Sequence, residues 1–119
     1  MPAERRQILL SAEETLHAIQ SYARMRPQFL PHGQVLGFRL DGGEEEGGIG
    51  LTISVEAVYG ATRTVLDVRT TQPDIVELLI RCCLENNIPI PRSSAKTAAV
   101  VDGHLALIVR HDSQLLTDA

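Results

Sequence analysis

Ala98-Ala99-Val100-Val101-Asp102-Gly103-His104-Leu105-Ala106-Leu107-Ile108-Val109 reads as two apolar runs joined by a dipeptide that reverses the chain. Asp-Gly between such runs is the signature of a two-residue β-hairpin in which both central positions need positive φ. That turn sets Val101 opposite His104 and Ala99 opposite Ala106. Because side chains alternate along a strand, Ala98, Val100, Leu105, Leu107 and Val109 share the core face. The opposite face carries His104, Ala106, Ile108 and Arg110 and is only half apolar.

Upstream of the hairpin, Ile88-Pro89-Ile90-Pro91 is extended. Before it a helix opens near Thr71, with Pro73 in its first turn and Asp74 close to the positive end of the dipole, and closes at Asn86-Asn87. Ile75, Val76, Leu78, Leu79, Ile80, Cys82, Cys83 and Leu84 cover more than half its circumference, so it is expected to be the most buried element. Glu77 and Arg81 are spaced to pair along its solvated edge.

Still earlier the apolar period is two. Leu36, Phe38 and Leu40 alternate with Val35, Gly37 and Arg39; Leu51, Ile53 and Val55 with Thr52, Ser54 and Glu56; Thr64, Leu66 and Val68 with Arg63, Val65 and Asp67. Three half-buried antiparallel strands are predicted, with Gly60 turning the second into the third. Nearest the start, Gln7 to Leu10 is a short extended segment leading into Ser11-Ala12-Glu13-Glu14, a capping box. The helix it opens places Ala12, Leu16, Ile19 and Ala23 on one face and Glu13, His17, Gln20 and Arg24 on the other, and ends by Arg26 ahead of Pro27. The predicted fold is α+β: two helices packed on a mainly antiparallel five-stranded sheet, order α-β-β-β-α-β-β. Residues 1–119 form a single domain, with 1–6 and 112–119 as flexible termini.

At 119 residues, with 44% hydrophobic and 22% charged side chains, the chain can build a core without disulfides or a structural metal. A net charge of -4 and few aromatic residues argue against nucleic acid as a partner. No stretch reaches the roughly 20 apolar residues of a membrane span, and Met1 to Arg6 with Ile8-Leu9-Leu10 does not read as a signal peptide. Cys82 and Cys83 are neighbours and cannot bridge each other without strain, so a reducing, cytoplasmic setting is expected.

Each possible site has a plainer explanation. The acidic loop Asp41-Gly42-Gly43-Glu44-Glu45-Glu46-Gly47-Gly48 offers carboxylates to a hard cation, yet lacks the alternating spacing of a calcium loop and reads as a solvated turn. Arg92, Ser93, Ser94 and Lys96 join two cations to hydroxyls in a loop whose amides could cradle an anion, but the glycines of a phosphate loop are missing. Cys82 and Cys83 lie near a helix C-terminus, where the dipole opposes a thiolate. His17, His32, His104 and His111 have no metal spacing, and His111 and Asp112 diverge on a strand. No catalytic residue, metal or cofactor is assigned.

The expectation is a non-enzymatic interaction or regulatory module, homo-oligomeric, using the apolar outer face of the hairpin (Ala99, Val101, Ala106, Ile108) with Leu115 and Leu116. The alternative is a small-anion or ligand-binding domain, or a weak enzyme, using Arg92, Ser93, Ser94 and Lys96. Element order, small size and acidic pI resemble those of type III secretion chaperones, which are dimers that hold partner proteins unfolded. That resemblance rests on no motif, and the long third helix of that family has no counterpart in Asp112 to Ala119.

Overall fold

The computed structural model describes residues 3–42 and 48–112. Strand β1 (Ala3–Leu10) leads into helix α1 (Ala12–Met25); β2 (Gln34–Asp41), β3 (Gly50–Tyr59) and β4 (Thr62–Thr70) follow, then α2 (Gln72–Glu85) and the hairpin β5 (Ala95–Val101) and β6 (His104–Asp112). The class is α+β, but the strands number six and form two antiparallel three-stranded sheets, ordered β1-β6-β5 and β2-β3-β4. The expected single sheet of five is corrected on both counts.

The sixth strand is the one the sequence wrote least clearly. Glu4, Arg5, Arg6 and Gln7 are polar, and only Ile8 and Leu10 alternate inward, so the strand owes its order to β6, with which it pairs from Ala3↔Asp112 to Leu10↔Leu105. The expected flexible start is therefore a paired strand from Ala3 onward. The sheet divides in two because β6 sits between β1 and β5 while β3 sits between β2 and β4; pairing partners leave no trace in the period of either strand.

Local signals held where the chemistry was local. Ser11 Oγ accepts from the Glu14 amide at 3.1 Å while the Glu14 carboxylate accepts from the Ser11 amide at 2.9 Å, which also holds the Glu14 carboxyl below its ordinary value. Thr71 caps α2 with its hydroxyl, and Pro73 lies in the first turn. Asp102 and Gly103 have φ of 51° and 76°, and the pairs Val101↔His104 and Ala99↔Ala106 follow.

One core takes the inner faces of both sheets and both helices: Ile19 and Tyr22 from α1, Leu51, Ile53 and Val55 from β3, Ile75, Leu78, Leu79 and Cys83 from α2, and Leu105, Leu107 and Val109 from β6. Three expectations shift in detail. A bulge between Val35 and Gly37 turns Val35 inward and Leu36 out to solvent, so the run does not alternate evenly. On α2, Leu84 is 63% exposed, because the buried stripe is Ile75, Leu78, Leu79, Cys82 and Cys83. Arg81 forms no ion pair with Glu77 among the described residues; Glu77 lies 3.8 Å from Arg26 instead.

The loop after α1 is fixed by close approach. At Gly33 an added Cβ would overlap the backbone carbonyl of Glu56 on β3. Gly33→Ala is expected to cost about 1–3 kcal/mol in urea unfolding, since two backbone segments must separate. Gly37→Ala, where nothing lies within 4 Å, should stay within about 0.5 kcal/mol of the parent. Equal effects at the two glycines would refute this packing.

Candidate functional site

The loop Pro91–Lys96 folds on itself. The Ser94 amide and hydroxyl both donate to the Pro91 carbonyl, and Lys96 Nζ donates to the Ser94 carbonyl at 3.1 Å and the Arg92 carbonyl at 3.5 Å. Arg92 and Ser93 are exposed. The structure brings Ser94 and Lys96 together, but their donors are turned on the loop's own carbonyls, which present oxygen where an anion would need N–H groups. Lys96 and Thr97 also border a shallow hollow of about 500 Å³ against Pro73, Val76 and Ile80 of α2. A second hollow, of about 620 Å³, lies between α1 and the loop through His32 and Gly33.

The outer face of the hairpin is not the open apolar surface that the sequence leads one to expect. Ala99, Ala106 and Ile108 cluster there and are fully buried within the single chain, while Val101 is half-buried. Ala106 and Ile108 belong to the middle strand β6, where Leu9 and Gln7 of β1 and Ala99 and Thr97 of β5 stand directly opposite them. Leu115, Leu116 and Glu44 to Glu46 lie outside the described residues.

Cys82 and Cys83 are buried, and burial pushes both thiols up, Cys83 to about 11. For Cys82 the carboxylates of Glu14 and Glu85 add to the rise. Both thiols should resist an aromatic disulfide reagent at pH 8 in the native chain and react on unfolding. Unfolded thiols lose their protons first, so the unfolded state binds fewer protons above its own thiol value and stability falls with rising pH. The loss for Cys83 should therefore appear between about pH 9 and 11. Urea midpoints across that window, compared with Cys83→Ala, check the slope.

His17 lies on α1, His32 in the following loop, and His104 and His111 seven residues apart on β6, so the last two point to opposite faces. His104 Nδ1 is 3.0 Å from the Asp102 carbonyl. Among the described residues no three His, Cys, Asp or Glu side chains converge on a metal position. A polar constellation at the core is structural: buried Tyr22 donates to Asp74 Oδ1 at 3.2 Å and accepts from Arg26 at 2.6 Å, with the Phe29 ring nearly perpendicular to its own at a centroid separation of 4.7 Å. Ser21 donates to the Glu85 carboxylate nearby, so α1 and α2 are joined by hydrogen bonds that the apolar pattern could not show.

The feature that stands out is an edge. β4 pairs with β3 over its whole length, Thr62↔Tyr59 to Thr70↔Leu51, and among the described residues with nothing on its other side. The two-residue turn Gly60-Ala61, with Gly60 at φ 66°, makes Tyr59 and Thr62 the first hydrogen-bonded pair. Alternation then directs the N–H and C=O of Thr62, Thr64, Leu66 and Val68 to β3 and leaves those of Arg63, Val65, Asp67 and Arg69 pointing outward. Val65 is 57% exposed, and Leu66, half-buried on the inner side, does not join the core. Sequence reading missed this site because nothing in β4 itself says that it is an edge. No helix among the described residues is long and apolar enough to cross a membrane. No family model, no curated protein and no solved structure matches the chain.

Proposed function

We propose that this chain is a non-enzymatic protein-interaction module whose β4 edge accepts a further strand. The observation that carries this reading is the open, unbulged nine-residue run of β4, Thr62–Thr70. Edge strands invite pairing, and proteins that do not use them blunt them with proline, bulges, inward charges or a covering element. β2 has its bulge at Leu36, and β1 carries Glu4 and Arg6 on its inward side. On β5, Ala98, Ala99 and Val100 are buried. β4 has no proline, no bulge and no inward charge: its inward residues include Thr64, Leu66 and Val68, and its charges, Arg63, Asp67 and Arg69, all stand on the outer face, where they would select among partners and do not cover the edge.

Main-chain hydrogen bonds supply affinity in strand addition, and alternate side chains supply selectivity. In a dilute solution of the chain, the amides of Arg63, Val65, Asp67 and Arg69 should exchange with solvent far faster than those of Thr64, Leu66 and Val68. A nine-residue peptide of the β4 sequence with its charged residues replaced by threonine, at millimolar concentration, should protect the four outward amides. Outward amides already protected in the dilute chain, or left unprotected by the peptide, would remove this reading.

A further inference from the structure

Resting on that reading of the β4 edge, we infer that its strand partner is the β4 of a second copy of this chain, paired antiparallel about a two-fold axis at Val65. Only residues with outward N–H and C=O can face each other in a hydrogen-bonded pair, and an axis at Val65 satisfies this. It sets Arg63 opposite Asp67 of the second copy and Asp67 opposite its Arg63, so both charges are matched twice. On the inner side it sets Leu66 opposite Thr64, covering the half-buried leucine. Shifted axes are worse: one at residue 63 opposes two Arg63, one at 66 opposes Arg63 and Arg69, and one at 67 opposes two Asp67. An axis at 68 matches Asp67 with Arg69 but pairs only Leu66–Thr70 and leaves Val65 open.

The two matched charges are already held over the outer face of the sheet. Ser54 on β3 donates to Asp67 Oδ1 at 2.9 Å, and Glu56 on β3 lies 3.7 Å from Arg63. Directly opposed unlike charges favour a strand pair and like charges oppose it, so the edge is written to select itself in one register. Two such edges would make a continuous six-stranded sheet from the two copies of β2-β3-β4.

Sedimentation velocity of the full chain from 5 to 500 μM tests this. The parent should pass from monomer to dimer within that range. Arg63→Asp and Asp67→Arg should each weaken dimerisation about tenfold or more, because each turns two attractions into two repulsions. The double exchange R63D/D67R should recover most of the loss. Val65→Pro removes an outward N–H that β3 does not use, so the variant should fold and stay monomeric. A parent that stays monomeric at 500 μM, or a double exchange as weak as the single variants, would overturn the self-pairing. Protection of the outward amides by the charge-free peptide would still leave the edge a strand acceptor for another protein.

Discussion

Ile53→Ala is expected to lower the free energy of unfolding by about 2–5 kcal/mol, a large share of the roughly 5–15 kcal/mol available to a domain of this kind. Ile53 sits at the middle of β3, itself the middle strand of its sheet, and has no exposed surface. It faces Phe38 on β2 and Val68 on β4. Truncation removes buried methyl and methylene groups and leaves a cavity that a three-stranded sheet pinned on both sides closes poorly. Leu84→Ala removes a similar amount of hydrocarbon from a side chain that is 63% exposed, and should change stability by no more than about 0.5 kcal/mol. Urea titrations followed by circular dichroism decide it: midpoints that shift alike would mean that the core is not where the structure puts it.

Tyr22→Ala should have an effect of similar size, about 3–5 kcal/mol. The ring fills the junction of α1 and α2, meets Phe29 edge-on and carries Arg26 above its face at 5.6 Å. Tyr22→Phe keeps the ring and removes one hydroxyl. Asp74 would still accept from Arg26 at 2.6 Å and from Thr71 at 3.0 Å. No buried acceptor is orphaned, and the cost should be about 0.5–1.5 kcal/mol. A phenylalanine variant as unstable as the alanine one would show that the hydroxyl, and not the ring, joins the helices.

How much of this was legible follows from the reach of each signal. The Ser11 and Thr71 caps and the Asp102-Gly103 turn act within three or four residues, and the sequence states them completely. The inward faces of β3, β5 and β6 were legible because a strand period is fixed once its turn is fixed. Val35 and Leu36 were misassigned because a bulge is settled by the partner strand. Thr15, Ser21 and Tyr22 are buried on α1 although the apolar stripe pointed to Ala12 and Leu16: Ser21 and Tyr22 find acceptors on α2 at Glu85 and Asp74, and the Thr15 hydroxyl donates to the Ser11 carbonyl one turn back. The burial of Ile108 was missed for a different reason: one of its cross-strand neighbours, Gln7 on β1, lies about a hundred residues away along the chain. For the β4 edge, the spacing Arg63-Val65-Asp67 was in plain view, but its symmetry has meaning only once the strand is known to have one open side.

The pairing of β1 with β6 has a consequence for how the molecule is made. As the nascent chain leaves the ribosome, β2, β3 and β4 can find one another within a short span, and β5 and β6 close across their two-residue turn once β6 itself has emerged. Residues 3–10 emerge before all of these, yet their hydrogen-bond partners at 105–112 appear last. Contacts so distant along the chain form slowly, so capture of the first strand should be the late and rate-limiting event of folding.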